Sequence, residues 1–428
     1  MEKFVLEGQF PLRGSVRTNG AKNAALPIMA AALLTTEECL LDNVPMVRDV
    51  RTMAELLRRL GCRVTVDEVA HRVTVRAPER ADLGTAIPPD LAGQMRASFL
   101  TTGPVLARAG RVRAPHPGGC SIGKRPVNVD IRSFSAMGAR VSLVDDLYDM
   151  HADTLRGKSI YLDYPSHTGT ENVLLAATLA KGTTVLKHAA TEPEVADLVS
   201  CLTQMGARIR GVGPSYLVVE GVDTLGGFQH RVMPDRIEAG TYAIAAAISR
   251  GEVIIQDIVP DHMDPLTHKL QEVGVIVEID RNNYLVRGIG HHRPVEVQTL
   301  HFPGFPTDLQ STIATLLTQS DGTSLIHERV FDDRLQYTTE LRKFGATISV
   351  TGHTATIMGP TPLRGASVRA LDLRCGAALI LAGLAAEGVT EIDDIYHIDR
   401  GYENVLAQLV GLGAHMERVA SEPAAASA

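Results

Sequence analysis

The sequence predicts an α/β protein built from six repeats, because two patterns recur along it with the same period. In the first pattern an amphipathic helical stretch ends in glycine, followed by a small or apolar residue and a β-type run. A glycine at this place is suited to end a helix in the left-handed conformation. The glycines are Gly61, Gly138, Gly206, Gly274, Gly345 and Gly413, and their successive spacings are 77, 68, 68, 71 and 68 residues. A near-constant spacing of this length indicates repeated supersecondary units.

The second pattern is an alanine-rich helical stretch that leads through a turn into a short β-type run. It occurs in the same phase as the glycines, in segments 29–44, 98–115, 174–189, 242–258, 313–330 and 379–395. These helices are apolar nearly all round, so we expect them to be buried, with strands packed outside them. Each repeat therefore reads helix, strand, helix and then further strands.

Length and composition narrow the class of protein. A chain of 428 residues suggests more than one domain, and three repeats per domain would give domains of ordinary size. The net charge of -7 and the absence of tryptophan argue against nucleic acid as a partner. The five cysteines are scattered, as expected of reduced thiols in a cytoplasmic protein. We expect no membrane span, no metal site and no cofactor, and a monomer is favoured.

A segment rich in proline and glycine carries the most reactive side chain. Residues 112–125 lack clear helix or strand signals and lead to Cys120, which Lys124 and Arg125 follow closely. Beyond them, apolar residues at Ile131, Phe134 and Met137 have helical spacing. The segment therefore places a thiol and two cations before the N-terminus of a helix, where anions bind and a thiolate is stabilised.

Two other interpretations of this segment exist. Gly118 to Lys124 fits G-x-x-x-x-G-K, the start of a phosphate-binding P-loop. However, Arg125 stands where that motif needs serine or threonine, and residues 112–115 make a poor buried strand. A surface loop with an incidental cysteine remains open when the segment is considered alone.

Charged and polar residues recur near the starts of helices in several repeats. If the helices of a domain are bundled, their positive N-terminal ends gather at one end of the domain, together with the basic side chains. This distribution predicts a polyanionic substrate in a cleft between the domains. The residues are Lys22, Asn23, Arg96, Arg125, Asp308, Arg334, Arg374 and Arg400.

Eight motifs together resemble those of one family. They are NGAKNAAL (19–26), MRAS (95–98), PGGCSIGKRPVN (117–128), TEN (170–172), PDRIEAGTY (234–242), FPTDLQ (305–310), DLR (372–374) and HIDRGYE (397–403). The chain is similar, from Gly8 to about Met416, to the UDP-N-acetylglucosamine 1-carboxyvinyltransferases, which are related to the 3-phosphoshikimate 1-carboxyvinyltransferases. This resemblance implies an inside-out α/β barrel of two domains, each with three βαβαββ units.

The resemblance also implies a discontinuous second domain. Composition alone favours a join between Asp223 and Pro234, whereas the family pattern adds the first strand of the chain to the second half. The expected domains are residues 22–230, which carry the cysteine lid loop 112–125, and residues 1–21 with 231–418 on the phosphoenolpyruvate side. Residues 419–428 are expected to form a disordered tail.

The chemistry that the resemblance implies is enolpyruvyl transfer from phosphoenolpyruvate to the sugar 3-hydroxyl of UDP-N-acetylglucosamine, with release of phosphate. In the family this is the first committed step of peptidoglycan precursor synthesis. Cys120 would donate the proton and Asp308 would be the base. Lys22, Arg125 and Arg400 would hold phosphoenolpyruvate, with Arg334 and Arg374 nearby. The remaining substrate-binding residues by the same analogy are Asn23, Arg96, Pro126, Val127, Asn128, Val129, Ser166, Val330 and Asp372.

Departures from the family pattern keep other functions open. Asn128 stands where the family commonly has aspartate, His167 lies in a segment that is usually Ser-Val-Gly-Ala, and Asp333 replaces an asparagine. These residues lie on the acceptor side, so a related transferase acting on another uridine nucleotide is an alternative. A non-catalytic nucleotide-sugar sensor is a further alternative. For Asp308 and Asp372, capping a helix is the alternative to a role in the site.

Overall fold

Two compact domains account for the chain in the computed structural model, which describes residues 2–119, 127–213 and 215–420. Of these, residues 20–119, 127–213 and 215–233 form the first domain. Residues 2–19 and 234–420 form the second domain. No helix within the described ranges combines the length and the apolar character needed to cross a membrane.

Strands and helices alternate through most of the chain. The strands are β1 (Glu2–Glu7), β2 (Arg13–Arg17), β3 (Cys39–Asp42), β4 (Arg63–Asp67), β5 (Arg72–Arg76), β6 (Arg111–Pro115), β7 (Arg140–Val144), β8 (Leu147–His151), β9 (Ser159–Tyr161), β10 (Thr183–Lys187), β11 (Arg208–Arg210), β12 (Tyr216–Glu220), β13 (Phe228–Arg231), β14 (Glu252–Gln256), β15 (Ile276–Asp280), β16 (Asn283–Arg287), β17 (Glu296–Gln298), β18 (Gly322–His327), β19 (Thr347–Thr351), β20 (Thr354–Gly359), β21 (Ser367–Arg369), β22 (Val389–Asp393) and β23 (His415–Ala420). The α-helices are α1 (Lys22–Ala31), α2 (Arg48–Arg59), α3 (Pro89–Ala92), α4 (Thr102–Ala109), α5 (Asn128–Ala136), α6 (His167–Ala177), α7 (Pro193–Gln204), α8 (Arg236–Ile248), α9 (Pro260–Val273), α10 (Gln310–Leu317), α11 (Tyr337–Leu341), α12 (Leu373–Ala385) and α13 (Val405–Gly411). Short 3₁₀ helices add Ala32–Leu34, Arg80–Asp82, Arg96–Thr101, Thr307–Leu309, Arg334–Gln336, Arg342–Phe344 and Ile395–Arg400.

The described strands form six open sheets, three in each domain, and the strands do not close into a barrel. In the first domain the orders are β13-β3-β5-β4, β6-β8-β7 and β11-β12-β10-β9. In the second they are β21-β22-β1-β23, β15-β16-β14-β2 and β17-β18-β20-β19. Each four-stranded sheet has one parallel pair and otherwise antiparallel pairs, as in β2, β14, β16 and β15. The mixed α/β class predicted from the sequence is confirmed.

Alanine-rich helices form the interior of each domain, as predicted. In the second domain α8, α10 and α12 contact one another, and every residue of α8 and α10 is buried. Small residues allow this close approach: a Cβ added at Gly240 would lie 2.5 Å from a Leu309 methyl carbon. Close packing of helices places their first turns near one another, which matters for the site.

The six repeat glycines end their helices as the sequence predicts. All six have φ between 93° and 103°. Side chains other than glycine rarely adopt this left-handed region, so the recurrence of glycine has a conformational cause. The repeat identified in the sequence is therefore a repeated helix C-terminus.

The prediction that residues 112–125 contain no strand is wrong at its beginning. Residues 111–115 form β6, which pairs antiparallel with Leu147–His151. Val112 and Ala114 are buried, so the run has the two-residue alternation of a half-buried strand. The two prolines nearby concealed this short alternation. Residues 120–126, including Cys120, lie outside the described residues.

The prediction of a disordered tail is wrong for its first two residues. β23 continues to Ala420, where Val419 pairs with Lys3 and Ala420 pairs with Glu2. Pairing with a strand distant in sequence gives this low-complexity segment its order, and no local signal announces it. Residues 421–428 lie outside the described part of the chain.

Asn19, at the end of the N-terminal segment of the second domain, is bound by a buried carboxyl group. Glu238 on α8 is 3% exposed, and its two oxygens accept from the backbone N–H of Asn19 at 2.7 Å and from its side-chain amide at 3.0 Å. Burial, reinforced by Asp235, raises the pKa of Glu238 to about 8. Beyond beginning a helix favourably, Glu238 therefore fixes the end of a segment far away in sequence.

Glu238 should make stability depend on pH. Between about pH 4.5 and 8 the folded protein keeps a proton on Glu238 that the unfolded chain has released, so stability falls as pH rises, by at most about 1.4 kcal/mol per unit. Glu238→Gln cannot titrate and can pair with a flipped Asn19 amide. Urea midpoints at pH 5.5, 6.5 and 7.5 should therefore fall in the wild type relative to this variant.

The exposed carboxyl of Glu278 on β15 provides the control. Glu278→Gln removes the same charge without affecting a buried group, so its midpoints should run parallel to those of the wild type. A pH-independent difference between wild type and Glu238→Gln would contradict the assignment.

Candidate active site

In the second domain, two arginines clamp the carboxylate of Asp308. Asp308 Oδ1 accepts from Arg334 Nη2 at 2.8 Å. Asp308 Oδ2 accepts from Arg374 Nη2 at 2.7 Å and Nε at 3.1 Å. The two arginine side chains are 5% and 7% exposed, whereas Asp308 keeps 25% of its side chain accessible. A ligand can therefore approach the group from the carboxylate side.

The three residues come together because each lies at or just before the start of a helix. Asp308 lies in the 3₁₀ turn Thr307–Leu309 before α10, and Arg334 begins the 3₁₀ helix Arg334–Gln336 before α11. Arg374 is the second residue of α12. The sequence-based placement of these side chains at helix starts is correct, and the packing of α10, α11 and α12 makes it a cluster.

Asp308 does not cap a helix in this structure, whereas Asp372 does. The N-cap of α10 is Leu309, and the oxygens of Asp308 are bound by the arginines. Asp372 is the N-cap of α12 and accepts from the N–H groups of Arg374 at 2.7 Å and Cys375 at 3.0 Å. Asp372 thus orients the first turn of the helix that presents Arg374.

The arginines determine the charge of Asp308. Burial alone would raise the pKa of this carboxyl, but Arg374 and Arg334 outweigh it and hold the pKa well below its usual range. For Arg374, burial opposes the charge, but Asp308 and Tyr402 raise its pKa above the ordinary value. Asp308 is therefore ionised at neutral pH, and one carboxylate between two guanidinium groups leaves one positive charge in excess.

A second carboxylate positions the chain around Val330. Glu328 is 2% exposed; its Oε1 accepts from the backbone N–H of Val330 at 2.7 Å and of Phe331 at 3.1 Å. Its Oε2 accepts from Thr307 Oγ1 at 2.8 Å. Glu328 thereby connects the segment before Arg334 to the turn that carries Asp308.

The prediction that Arg400 lies at the start of a helix is wrong. It is the last residue of the 3₁₀ helix Ile395–Arg400 and half-buried, and α13 begins only at Val405. Its predicted contact with phosphoenolpyruvate remains a prediction.

In the first domain, Lys22 forms a buried ion pair. Lys22 is the first residue of α1, and its Nζ lies 3.0 Å from Asp49 Oδ2 on α2. Both residues are buried, at 9% and 4% exposure. Asn23 follows in the first turn and is half-buried.

Asn172 joins three helical elements near Arg96. Its Nδ2 donates to Asp130 Oδ1 at 2.7 Å and to the Phe99 carbonyl at 3.1 Å, and its Oδ1 accepts from the Gly103 N–H at 2.8 Å. Burial raises the pKa of Asp130 and lowers that of Arg96, and their opposite charges counteract both shifts. This network connects the 3₁₀ helix that Arg96 begins to α4 and α5.

Residues 127–129 form the start of α5. Val127 is the N-cap residue, and Val127 and Val129 are buried. The Oδ1 atom of Asn128 is buried and has no hydrogen-bond partner among the described residues. An acceptor in this state is costly unless a ligand supplies a donor.

The start of α6 combines a cap with a charged pair. Ser166 Oγ accepts from the Gly169 N–H at 3.1 Å, and His167 Nε2 lies 3.2 Å from Glu171 Oε1. Burial would lower the pKa of His167, but Glu171 and further carboxyl groups raise it to about 10. The imidazole is thus held in its charged form next to Ser166, which is predicted to bind the acceptor substrate.

Three predicted site residues, Cys120, Arg125 and Pro126, lie outside the described residues. The other four cysteines are buried. Burial raises the pKa of Cys39, Cys62 and Cys375 to about 12 and also raises that of Cys201. In the described ranges no group of three or more His, Cys, Asp or Glu side chains is arranged to hold a metal ion.

Comparison with known proteins identifies the family. The model of EPSP synthase (3-phosphoshikimate 1-carboxyvinyltransferase) matches residues 6–409. The chain belongs to this family. The UDP-N-acetylglucosamine 1-carboxyvinyltransferase 2 of Carboxydothermus hydrogenoformans is 47% identical and the transferase of Halothermothrix orenii is 45% identical, each over 98% of this chain and 100% of the relative.

Two solved structures have the same fold. The enolpyruvyl transferase NikO from Streptomyces tendae superposes with a TM-score of 0.89 at 26% identity, covering 98% of this chain and 99% of NikO. EPSP synthase from Acinetobacter baumannii gives a TM-score of 0.76 at 16% identity, covering 98% and 100% of the two chains. The second comparison shows the fold alone.

Sequence reasoning missed the partners that position these side chains. Asp49, Glu328 and Asn172 were assigned no role, although Asn172 stands in the quoted TEN motif. Tyr402 lies in the HIDRGYE motif and accepts from Arg374 Nη1 at 3.2 Å. Attention to the uncharged polar residues inside the motifs could have found Asn172 and Tyr402, whereas Asp49 and Glu328 carried no such signal.

Substitutions at Asp372 separate capping from substrate binding. Asp372→Ala removes both bonds to the first turn of α12 and should lower the free energy of unfolding by about 1 kcal/mol. Asp372→Asn keeps an acceptor oxygen and should restore most of that loss, with KM values near those of the wild type. Urea unfolding and steady-state kinetics measure both effects. A raised KM in a fully stable Asn variant would show that the carboxylate charge itself meets a substrate.

Proposed function

We propose that this protein transfers the enolpyruvyl group of phosphoenolpyruvate to the sugar 3-hydroxyl of UDP-N-acetylglucosamine, with release of phosphate. The observation that carries the proposal is the clamped Asp308, because it places a carboxylate beside two buried cations where an anionic substrate can reach it. Full-length identities of 43–47% to transferases named for this acceptor support it. The same likeness supports the finer architecture, an inside-out barrel of two domains with three βαβαββ units each.

The proposed reaction has two steps. The sugar hydroxyl attacks C2 of phosphoenolpyruvate while Asp308 takes its proton and Cys120 gives a proton to the methylene carbon, which forms a tetrahedral ketal. The methyl group of the ketal then loses a proton as phosphate leaves, which gives the enol ether. Lys22, Arg125 and Arg400 are proposed to bind phosphoenolpyruvate, whose phosphate and carboxylate need cations.

Asp308 needs help from the substrate to act as a base. A carboxylate with both oxygens bound to guanidinium groups and a depressed pKa accepts a proton poorly. An anionic substrate near Arg334 and Arg374 competes for these cations and weakens their hold on Asp308. The base is therefore strengthened when the donor substrate is bound.

A different uridine nucleotide as acceptor is the second candidate. Asn128 favours it, because an amide stands where the family commonly has a carboxylate, and its buried Oδ1 has no partner among the described residues. An amide offers both a donor and an acceptor, whereas an ionised carboxylate only accepts. Asn128 could therefore recognise a base edge that differs from the one the family usually binds.

Phosphate release in the presence of phosphoenolpyruvate and different acceptors decides between these candidates. UDP-N-acetylglucosamine should give the highest kcat/KM, above UMP and other UDP-sugars. A preference for UMP or another UDP-sugar would select the second candidate. Tight nucleotide binding without phosphate release from any acceptor would indicate a sensor and contradict both.

Removal of the proposed base should stop turnover without unfolding the protein. Asp308→Ala should lower kcat at least about a hundredfold, the usual contribution of a general base. Steady-state phosphate release at saturating substrates measures the effect. Asp399→Ala is the control, because it removes a partly exposed carboxylate that binds Arg418. An unchanged rate would leave Asp308 with a structural role alone.

Cys120 should be the one fast-reacting thiol. Lys124, Arg125 and the following helix favour its thiolate, whereas burial holds the other cysteines in the protonated form. Peptide mapping after brief alkylation near neutral pH should identify Cys120. The epoxide fosfomycin, which resembles phosphoenolpyruvate, should modify the same sulfur.

Two substitutions test the thiol as proton donor. Cys120→Asp keeps an ionisable group and should retain activity while escaping the epoxide, whereas Cys120→Ala should lose turnover. Wild-type turnover of the Ala variant, or fast alkylation at another cysteine, would show that the thiol is incidental.

A further inference from the structure

A chain of buried hydrogen bonds leads away from Arg374 on the side opposite Asp308. Arg374 Nη1 donates to the Tyr402 hydroxyl at 3.2 Å, and this hydroxyl lies 2.8 Å from Thr241 Oγ1. The guanidinium carbon also lies 5.6 Å from the centre of the Tyr402 ring. Tyr402 and Thr241 are 3% and 4% exposed, so water does not replace these contacts easily.

The direction of the chain follows from the number of protons. Thr241 has one hydroxyl proton and donates it to the Ile237 carbonyl at 2.8 Å. Thr241 Oγ1 must therefore accept from Tyr402, whose oxygen lone pairs then face the N–H of Arg374. Each bond in this series polarises the next, which makes Tyr402 a better acceptor for the guanidinium.

The hydrogen-bond series and Asp308 bind different edges of the Arg374 guanidinium group. The guanidinium is planar, and its Nε and Nη2 atoms already contact Asp308 Oδ2. The bond from Nη1 to Tyr402 fixes the remaining edge of the plane. With α8 carrying Thr241 and α12 carrying Arg374, the orientation is set by two packed helices.

We propose that Tyr402 and Thr241 are a positioning pair that fixes the Arg374 fork on Asp308 and thereby sets how readily Asp308 takes the proton of the acceptor. The inference rests on the proposed function and adds two residues to its machinery. Neither hydroxyl touches Asp308, so both act through Arg374.

Two other charged residues, Arg334 and Asp235, lie near Arg374 and the Tyr402–Thr241 pair. Arg334 binds Asp308 from its own 3₁₀ helix. Asp235, at the N-cap of α8, contributes to raising the pKa of both Arg374 and Tyr402. Burial raises the pKa of Tyr402, so its hydroxyl keeps its proton at neutral pH. The substitutions below leave Arg334 and Asp235 in place.

Tyr402→Phe removes the hydroxyl and keeps the ring beneath Arg374. We expect kcat to fall about tenfold, with both KM values within about twofold, because the loosened fork no longer aligns Asp308 with the acceptor hydroxyl. A misplacement of about 1 Å can cost about a hundredfold, so this loss of alignment outweighs the gain in basicity of the freed carboxylate. The looser fork should also raise the pKa of Asp308. The acidic limb of the kcat–pH profile should therefore move to higher pH. Thr241→Val should act in the same direction, and the double variant should lose no more than Tyr402→Phe alone.

A second tyrosine provides a matched control. Tyr284 is fully buried in the same domain; its hydroxyl lies 2.7 Å from Thr267 Oγ1, which donates to the Met263 carbonyl at 2.9 Å. This is the same arrangement without an arginine. Tyr284→Phe should cost comparable stability and leave kcat and its pH profile unchanged.

The decisive comparison places Tyr402→Phe in the Asp308→Ala background. A residue that acts through Asp308 has no further effect once Asp308 is absent, so the residual rate should not change. A further tenfold loss there, or a Tyr402→Phe single variant with wild-type kcat, would overturn the inference. Failure of the proposed function gives a different result, because the wild type itself would then release no phosphate.

Discussion

The ion pair between Asp308 and the two arginines constrains the second domain more than any other interaction at the site. Buried guanidinium groups are costly unless a carboxylate in good geometry compensates them. Here the compensation joins side chains from three helical elements, so the helices must pack correctly before the charges are satisfied. The same arrangement leaves one positive charge in excess, which prepares the site for an anionic substrate.

Alanine explains how this geometry is reached. Helices with small side chains approach closely, and α8, α10 and α12 bring their N-terminal turns together as a result. The helix dipoles then add to the charge of the arginines. A larger core residue such as leucine would separate the helices and the fork of Arg374 from Asp308. The composition of the interior is thus connected to the chemistry at its end.

Features that depend on local pattern could be predicted from the sequence. The six glycines and the alanine-rich helices follow from helix geometry, so their spacing was sufficient. Residues 112–115 and 419–420 were misjudged because their strands depend on partners far along the chain. For the same reason the sequence placed Asp308 and Arg374 at helix starts but could not show that they bind one another. The role proposed for Tyr402 is still harder to predict from the sequence, since it depends on the direction of a hydrogen bond.

A crystal structure with UDP-N-acetylglucosamine and an unreactive analogue of phosphoenolpyruvate tests the central claim most directly. We expect the sugar 3-hydroxyl to lie about 3 Å from an oxygen of Asp308, the distance that proton transfer requires. We also expect the analogue to have drawn at least one arginine away from that carboxylate. A complex in which Asp308 keeps both arginines and the 3-hydroxyl lies out of its reach would contradict the account.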